Sequence, residues 1–160
     1  MMAEPAHQRA LLIGVGNEFR TDDGLGVFVA RALRRRYGDH LVVIENDGDG
    51  TALIDSWEGA DTVLVVDAVS SGRNPGTIHR IDASDLPIPR RLFHSSSSHS
   101  FGLAEAVELA RRFHRLPHRT IVYGVEGTSF DYGTGLSDPV VKSVPSLLQL
   151  IEDDLRVCAH

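Results

Sequence analysis

The sequence lacks the features of disulfide-rich, membrane-spanning and secreted proteins. Its single cysteine, Cys158, can neither form a disulfide within the chain nor join a cluster of thiolate ligands. No apolar run approaches the roughly 20 residues that span a bilayer. Residues 1–9 do not place a cationic flank before an apolar core, as a secretory signal would. We therefore expect a soluble, cytoplasmic protein whose residues 1–9 form a flexible tail.

An excess of positive charge is also missing. The chain carries 16 Lys and Arg against 22 Asp and Glu, which gives a net charge of -6. Proteins that bind nucleic acids generally present a basic face to the phosphates, so this class is disfavoured. The basic cluster from Arg31 to Arg36 is predicted to be the last turn of a helix, where cations complement the carbonyl end. The alternative interpretation is a docking patch for an acidic partner.

Two common loops of enzymes are absent, and a third is incomplete. The chain has no G-x-x-x-x-G-K-[ST] loop and no G-x-S-x-G elbow, so Ser95–Ser98 are discounted as nucleophiles. Residues 14–26, "GVGNEFRTDDGLG", begin like a dinucleotide fingerprint, but Phe19 stands where its third glycine is required. The acids at positions 18, 22 and 23 would also repel phosphate. A nucleotide-dependent enzyme is therefore the least favoured of our functional hypotheses.

The length of 160 residues fits a single domain, 1–160, without internal repeats. Apolar runs alternate with segments of helical periodicity, which predicts an α/β fold: a three-layer α/β/α sandwich with a mostly parallel five-stranded sheet. The predicted strands are Ala10–Gly16, Leu41–Ile44, Thr62–Asp67, Thr77–Ile81 and Arg119–Val125, and the predicted helices are Asp23–Tyr37, Ala52–Trp57, His99–His114 and Asp138–Leu155.

Two of these strands have predicted places in the sheet. Thr62–Asp67 is apolar on both faces and is therefore expected at the centre of a parallel sheet. Thr77–Ile81 follows it too closely for a helical crossover, so we expect this strand to be antiparallel and at an edge.

Three polar residues are candidates for a common site. Asp23 follows the first strand, Asp67 ends the third, and His99 begins a predicted helix after the fourth. In open α/β sheets, sites form beyond the carboxyl ends of the strands, where these residues could meet. Two carboxylates and an imidazole suit nickel, zinc, manganese or iron. Asp67 is the most informative, because an acid within an apolar strand needs a partner.

Simpler roles remain open for each of these residues. Asp67 could bond to a turn, and His99 could cap its helix or lie at the surface. His94 is a possible substitute ligand for His99. Asp22 or Asp23 is placed to cap the helix that follows, with Glu18 facing solvent or a substrate.

Three sequence blocks, in order, resemble the hydrogenase maturation proteases. They are G-x-G-N-x-x-x-x-D-D-G-x-G after the first strand, V-V-D-A-V, and S-x-x-H-S-F-G-L. These endopeptidases trim a C-terminal extension from the large subunit of [NiFe] hydrogenases. By position, the resemblance implies that the metal-binding acids are Asp23 and Asp67 and that the histidine is His99. Asn17 matches an asparagine of the glycine loop with a turn-forming role.

One block departs from the family pattern. Many relatives carry D-G-G-T-x-G after the second strand, in a loop thought to help recognise the substrate. This chain has residues 47–52 as "DGDGTA", with Asp49 and Ala52 in place of two glycines. The departure affects the expected details of substrate recognition and leaves the three metal-binding positions unchanged.

The leading hypothesis is therefore a cytoplasmic endopeptidase that cuts the precursor of a hydrogenase large subunit once nickel is in place. The resemblance implies that Asp23, Asp67 and His99 bind nickel, which the substrate itself could supply and for which other divalent metals could substitute. One carboxylate could assist the attack of water. We expect a monomer that binds neither nucleic acid nor membranes. The alternative hypothesis is a nickel-binding maturation chaperone that does not cut.

Overall fold

The computed structural model describes residues 10–89, 92 and 101–158. Five strands form one sheet: β1 (Ala10–Val15), β2 (Val42–Asn46), β3 (Thr62–Val69), β4 (Ile78–Asp82) and β5 (Arg119–Glu126). The described helices are α1 (Leu25–Tyr37), α2 (Gly50–Trp57), α3 (Leu103–Arg112) and α4 (Asp138–Cys158), with short 3-10 turns at Thr21–Gly24 and Gly38–His40.

The sheet has the strand order β2-β1-β3-β5-β4. All neighbouring strands are parallel except β4, which pairs with β5 in the antiparallel direction at one edge. Every residue of β3 is buried, as expected for the central strand. The predicted fold, including the central and the antiparallel edge strand, is confirmed.

Helices cover both faces of the sheet. On one face α1 and α4 contribute Leu25, Val29, Leu33, Val144, Leu147 and Ile151 to a buried cluster with Leu12, Leu64 and Tyr123 of the sheet. On the other face α2 and α3 contribute Leu53, Trp57, Leu103 and Val107 to a second cluster with Ile13, Val65 and Val122. Alternate residues of β1 and β3 therefore point into different clusters, which is the period-2 pattern of strands in a three-layer sandwich.

Helix α1 lies unusually close to β1 because a glycine faces it. A Cβ atom at Gly14 would lie only 2.0 Å from the carbonyl oxygen of Gly26. No larger residue fits between strand and helix at this point. This close approach sets the position of the Thr21–Gly24 turn, which joins the loop after β1 to α1.

Several predicted boundaries were wrong for local reasons. Helix α1 begins at Leu25, because Thr21–Gly24 form a 3-10 turn, and neither Asp22 nor Asp23 caps it. Helix α2 begins at Gly50, two residues early, because the Asp49 carboxylate accepts a hydrogen bond from the Thr51 amide. Strand β3 continues beyond Asp67 to Val69, since β5 extends beside it.

Helix α3 also begins later than predicted. It starts at Leu103 after Gly102, whose amide donates a 3.2 Å hydrogen bond to the Glu105 carboxylate. The predicted start at His99 and the histidine at position 94 lie outside the described residues, as do the expected tail 1–9 and Ser95–Ser98. At its other end α3 stops at Arg112 instead of His114.

The basic cluster does form the last turn of α1, with Arg34, Arg35 and Arg36 next to Tyr37. Arg34 pairs with Glu45 on β2, and Arg36 pairs with Glu152 on α4. Among the residues that the structure describes, none of the helices has the length and apolar character needed to cross a bilayer.

Candidate active site

Asp23 and Asp67 come from neighbouring strands at the carboxyl edge of the sheet. Asp23 lies in the 3-10 turn after β1, and Asp67 lies near the end of β3, paired in register with Gly124 of β5. Both are buried, with 7% of Asp23 and 4% of Asp67 exposed. The fold thus brings together two carboxylates 44 positions apart, and each is largely withdrawn from water.

Burial changes the acidity of both groups. The pKa of Asp67 is raised well above its usual range by burial and, in addition, by the charge of Asp23, while a backbone hydrogen bond from Ala68 opposes the rise. Burial also raises the pKa of Asp23, against a hydrogen bond from the Asn17 amide and the charge of Arg20. The electrostatic coupling indicates that the two carboxylates are close. Such a pair holds a proton or a cation more strongly than separate surface aspartates do.

The side chain of Asp23 has a defined hydrogen bond. The Asn17 amide donates to Asp23 Oδ2 at 3.0 Å, and the Asn17 side chain in turn accepts a 2.9 Å hydrogen bond from the Phe19 amide. Asn17 thus closes the turn with its side chain and orients Asp23 with its backbone. The turn-forming role expected for Asn17 is what its side chain performs.

The third predicted residue, His99, lies outside the described part of the chain. Within the ranges 10–89 and 101–158, no three His, Cys, Asp or Glu side chains come together as a possible metal-binding group. The carboxylate pair therefore lacks a third described ligand of this kind. The set of Asp23, Asp67 and His99 remains a prediction.

Phe101 is held at the same edge of the sheet. The Gly50 amide donates a 2.9 Å hydrogen bond to the carbonyl oxygen of Phe101. A Cβ atom at Gly50 would lie 2.5 Å from the Phe101 ring, so this glycine is required for the contact. Gly50 begins α2 just after the carboxyl end of β2, and this places Phe101 at the edge that carries Asp23 and Asp67.

Comparison with known proteins assigns the family. The family model described as hydrogenase maturation protease matches residues 27–154, which is most of the chain. The chain belongs to the hydrogenase maturation protease family. The predicted class of enzyme, an endopeptidase, is confirmed with it, because the matching relatives and structures are named as proteases or endopeptidases of this kind.

Two curated relatives illustrate the similarity of this maturation protease to others. The hydrogenase 2 maturation protease of Escherichia coli (strain K12) is 28% identical over 151 residues, which cover 92% of this chain and 91% of the relative. A putative hydrogenase maturation protease of Methanocaldococcus jannaschii is 30% identical, with 91% and 96% covered.

Solved structures agree on the fold. The hydrogenase maturating endopeptidase HybD from E. coli superposes with a TM-score of 0.77 at 28% identity, covering 92% of both chains. The [NiFe] hydrogenase maturation protease HybD from Thermococcus kodakarensis has a TM-score of 0.68 at 23% identity, which supports the fold alone.

The other acids of the protease's first loop have different partners. Glu18 forms a two-pronged ion pair with Arg31 of α1, at 2.8 and 3.2 Å, and Arg31 also reaches Glu45. Glu18 therefore has a partner within the chain. Asp22, which is fully buried, accepts hydrogen bonds from the amides of Thr128 and Ser137 at 2.7 Å each.

The cleft beside this loop also opposes a nucleotide. It has a volume of about 400 Å³ and is lined by Gly16, Asn17, Phe19 and Val27 together with Glu18, Glu45, Asn46 and Asp47. Of the three acids that the sequence argument set against phosphate, only Glu18 lines this cleft, and Glu45 and Asp47 add two further carboxylates.

Sequence reasoning missed a further buried acid at this edge. Glu126, the last residue of β5, accepts a 3.0 Å hydrogen bond from the Ser71 amide and another from the Ser71 hydroxyl. Its Oε1 also lies 3.1 Å from Nε2 of His79 on β4. Glu126 thereby ties the connection between β3 and β4 to β5. An acid at the end of an apolar strand, as at Asp67, is the sequence signal that could have identified it.

Proposed function

We propose that this maturation protease removes the C-terminal extension from the precursor of a [NiFe] hydrogenase large subunit. In this proposal Asp23, Asp67 and His99 bind the nickel that the precursor already carries, so that only a loaded precursor is cut. The names of the relatives support the substrate class, since E. coli HybD is described as a hydrogenase maturating endopeptidase and the M. jannaschii relative as a putative hydrogenase maturation protease.

The buried pair Asp23 and Asp67 is the observation that carries the proposal. Burial raises the pKa of Asp67, and repulsion by the Asp23 carboxylate raises it further. A divalent cation offsets that repulsion, and carboxylate oxygens with one imidazole nitrogen form a donor set that nickel accepts. The residues present therefore fit a nickel centre in the substrate, and zinc or another divalent ion could substitute.

The place of Phe101 supports His99 as the third ligand. Phe101 is two positions after His99 in the sequence and is anchored to Gly50 at the carboxyl edge of the sheet. A chain of two residues extends at most about 7 Å. His99 therefore has a short path to the edge where Asp23 and Asp67 lie.

Cleavage requires a proton to leave the attacking water and a proton to reach the departing nitrogen. One carboxylate of the pair can serve both needs in turn. We assign this role to Asp23, which the Asn17 amide keeps oriented and whose ionised form that hydrogen bond favours. Asp23 would accept a proton from the water as the water oxygen bonds to the carbonyl carbon, and would return the proton to the nitrogen as the C–N bond breaks. Asp67 would remain an ionised ligand of the nickel.

The test is mass spectrometry of the large-subunit precursor, incubated with the protease in its nickel-loaded and nickel-free forms. We expect a shortened product from the loaded precursor alone. Asp67→Ala and His99→Ala should each reduce cleavage by at least about 100-fold, because each removes a direct ligand. His94→Ala tests the substitute ligand and should cleave normally if His99 is the ligand.

Two outcomes would contradict the proposal. Full cleavage by both Asp67→Ala and His99→Ala would remove these residues from the site. A stable nickel-dependent complex whose precursor is never shortened would favour the chaperone alternative.

A further inference from the structure

We infer that Asp22 is a positioning residue for Asp23: its buried carboxylate fastens the loop 127–137 to the Thr21–Gly24 turn and so fixes the orientation of Asp23. The loop 127–137 joins β5 to α4. The functional part of this inference rests on the proposed function, whereas its structural part concerns this chain alone.

The Asp22 carboxylate is saturated by donors from that loop. It accepts hydrogen bonds from the amides of Thr128 at 2.7 Å, Ser129 at 3.2 Å and Ser137 at 2.7 Å. The Ser137 hydroxyl adds a fourth at 2.8 Å. None of Asp22 is exposed to solvent. With four donors on two oxygens, Asp22 is committed to the loop and is not placed to act as a ligand.

Backbone contacts continue the connection at Asp22 and at the residues before it. The Thr21 amide donates to the Gly133 carbonyl at 3.0 Å, and the Gly133 amide donates to the Phe19 carbonyl at 2.9 Å. The Asp22 amide donates to the Ser129 carbonyl at 3.1 Å. The loop is thus joined to Phe19, Thr21 and Asp22 by backbone hydrogen bonds, and the Asp22 carboxylate adds its own.

The turn is also strained where it meets the loop. Thr21 has a φ of 50°, a left-handed conformation that costs a non-glycine residue about 1 kcal/mol or more. Its hydroxyl donates to the Ser129 carbonyl at 2.7 Å, so the loop helps to hold the strained conformation. Strain of this kind persists only where surrounding contacts enforce it, and it often marks functional sites.

These contacts act on Asp23 through the backbone. Asp22 and Asp23 share a planar peptide group, so a rotation of Asp22 would also rotate Asp23. The Asp23 carboxylate is fixed on its other side by the Asn17 amide. Loss of the Asp22 contacts would relax Thr21, turn the shared peptide and pull Asp23 away from Asn17.

The Asn17 amide therefore reports on the position of Asp23 without any metal or substrate. In Asp22→Asn we expect its hydrogen exchange to become at least about 10-fold faster, while core amides such as that of Leu64 keep their protection. For cleavage of the loaded precursor we expect kcat to fall at least about 10-fold with KM within about 2-fold of wild type.

Asp154→Asn is the matched control. Asp154 is also buried and bound by several donors, among them Arg80 and Arg119, but it lies on α4 and contacts neither the turn nor Asn17. We expect this variant to lose thermal stability while Asn17 exchange and kcat stay at wild-type values. Ser137→Ala, which removes a single donor, covers the case in which Asp22→Asn does not fold. It should speed Asn17 exchange by about 3-fold.

The outcomes separate this inference from the proposed function. Unchanged Asn17 exchange in a folded Asp22→Asn, or in Ser137→Ala if the former does not fold, would overturn the inference. Faster Asn17 exchange with unchanged kcat would overturn its functional part. A wild-type protein that does not cut the loaded precursor would overturn the proposed function and the catalytic consequence. The Asn17 measurement would still decide whether Asp22 positions Asp23.

Discussion

Asp22 and Asp23 are adjacent in the sequence, but their carboxylates are bound by different parts of the chain. Asp23 accepts its hydrogen bond from Asn17, six positions before it, whereas Asp22 accepts one from Thr128, 106 positions after it. One acid is thus held beside Asp67 at the edge of the sheet, and the other fastens a distant loop. The two members of the D-D pair have separate tasks, and substitutions at the two positions should have different consequences.

Replacing Asp67 by Asn should stabilise the metal-free protein at neutral pH. Burial and the charge of Asp23 raise the pKa of Asp67 on folding, so the folded state binds this proton more tightly than the unfolded chain does. The free energy of unfolding of the wild type therefore falls as the pH rises from the usual aspartate range towards the raised pKa. Asn at position 67 binds no such proton, so this dependence on pH is absent from the variant. Urea unfolding with a chelator, from about pH 4 to about pH 8, measures the difference.

We expect the stability gained by Asp67→Asn to be smallest at the acid end and to grow with pH. A gain that does not vary with pH would mean that the Asp67 proton is not the cause. Asp55→Asn, at an exposed position of α2, is a control for the urea measurement.

Substitution of Gly50 by Ala should reduce precursor cleavage strongly and lower the thermal midpoint only slightly. The added Cβ atom would lie 2.5 Å from the Phe101 ring and 2.8 Å from its carbonyl oxygen, so Phe101 must move. In a helix, Ala is otherwise better than Gly by about 0.5–1 kcal/mol, which offsets part of the cost. Precursor cleavage and the thermal midpoint should be measured together.

Asp49→Ala is the control for Gly50→Ala, since it alters the same end of α2 without touching Phe101. It removes the hydrogen bond that the Thr51 amide donates to the Asp49 carboxylate and should cost about 1 kcal/mol of stability with little loss of cleavage. Equal losses of cleavage in the two variants would show that Phe101 is not the important contact.

Substitution of Gly14 by Ala should prevent close packing of α1 on the sheet. The Cβ atom would lie 2.0 Å from the Gly26 carbonyl oxygen and 2.7 Å from the Ala30 Cβ. The Gly26 backbone and the buried Ala30 side chain cannot both move away from the added Cβ atom. We therefore expect the free energy of unfolding to fall by about 3 kcal/mol, or the product to be insoluble. Gly72→Ala is the control, because no atom lies within 4 Å of the added Cβ atom. Its loss of stability should come only from placing Ala at a φ of 90°. Chemical denaturation of both variants tests whether Gly14→Ala loses more stability than Gly72→Ala.

Replacing Glu18 by Gln should leave cleavage within about 2-fold of wild type. Glu18 pairs with Arg31 at a half-exposed position, where an ion pair is weakened by water and salt. Measurement of kcat and KM at low and moderate salt checks this expectation. A large rise in KM would instead make Glu18 a contact for the substrate.

The fold could be predicted from apolar runs and connection lengths, because each of these patterns depends only on residues close together in the sequence. The apolar run Thr62–Asp67 identified the central strand, and the short connection from Asp67 to Thr77 identified the antiparallel edge. The predicted bounds of an element were wrong where a side chain forms a hydrogen bond that the sequence pattern did not predict. Asp49, one of the departures from the family pattern, caps α2 and so moves the helix start to Gly50.

The sequence by itself determined the layers, the strand directions and the pair Asp23 and Asp67, because strand periodicity and the rule of carboxyl ends require only local information. Only the tertiary structure decided what Asp22, Glu18 and Glu126 do. Their partners lie on other elements, and nothing in the residues beside them specifies those partners. Hydrogen bonds and ion pairs between distant segments depend on how the sheet and helices pack, and this packing also withdraws Asp67 from water and raises its pKa.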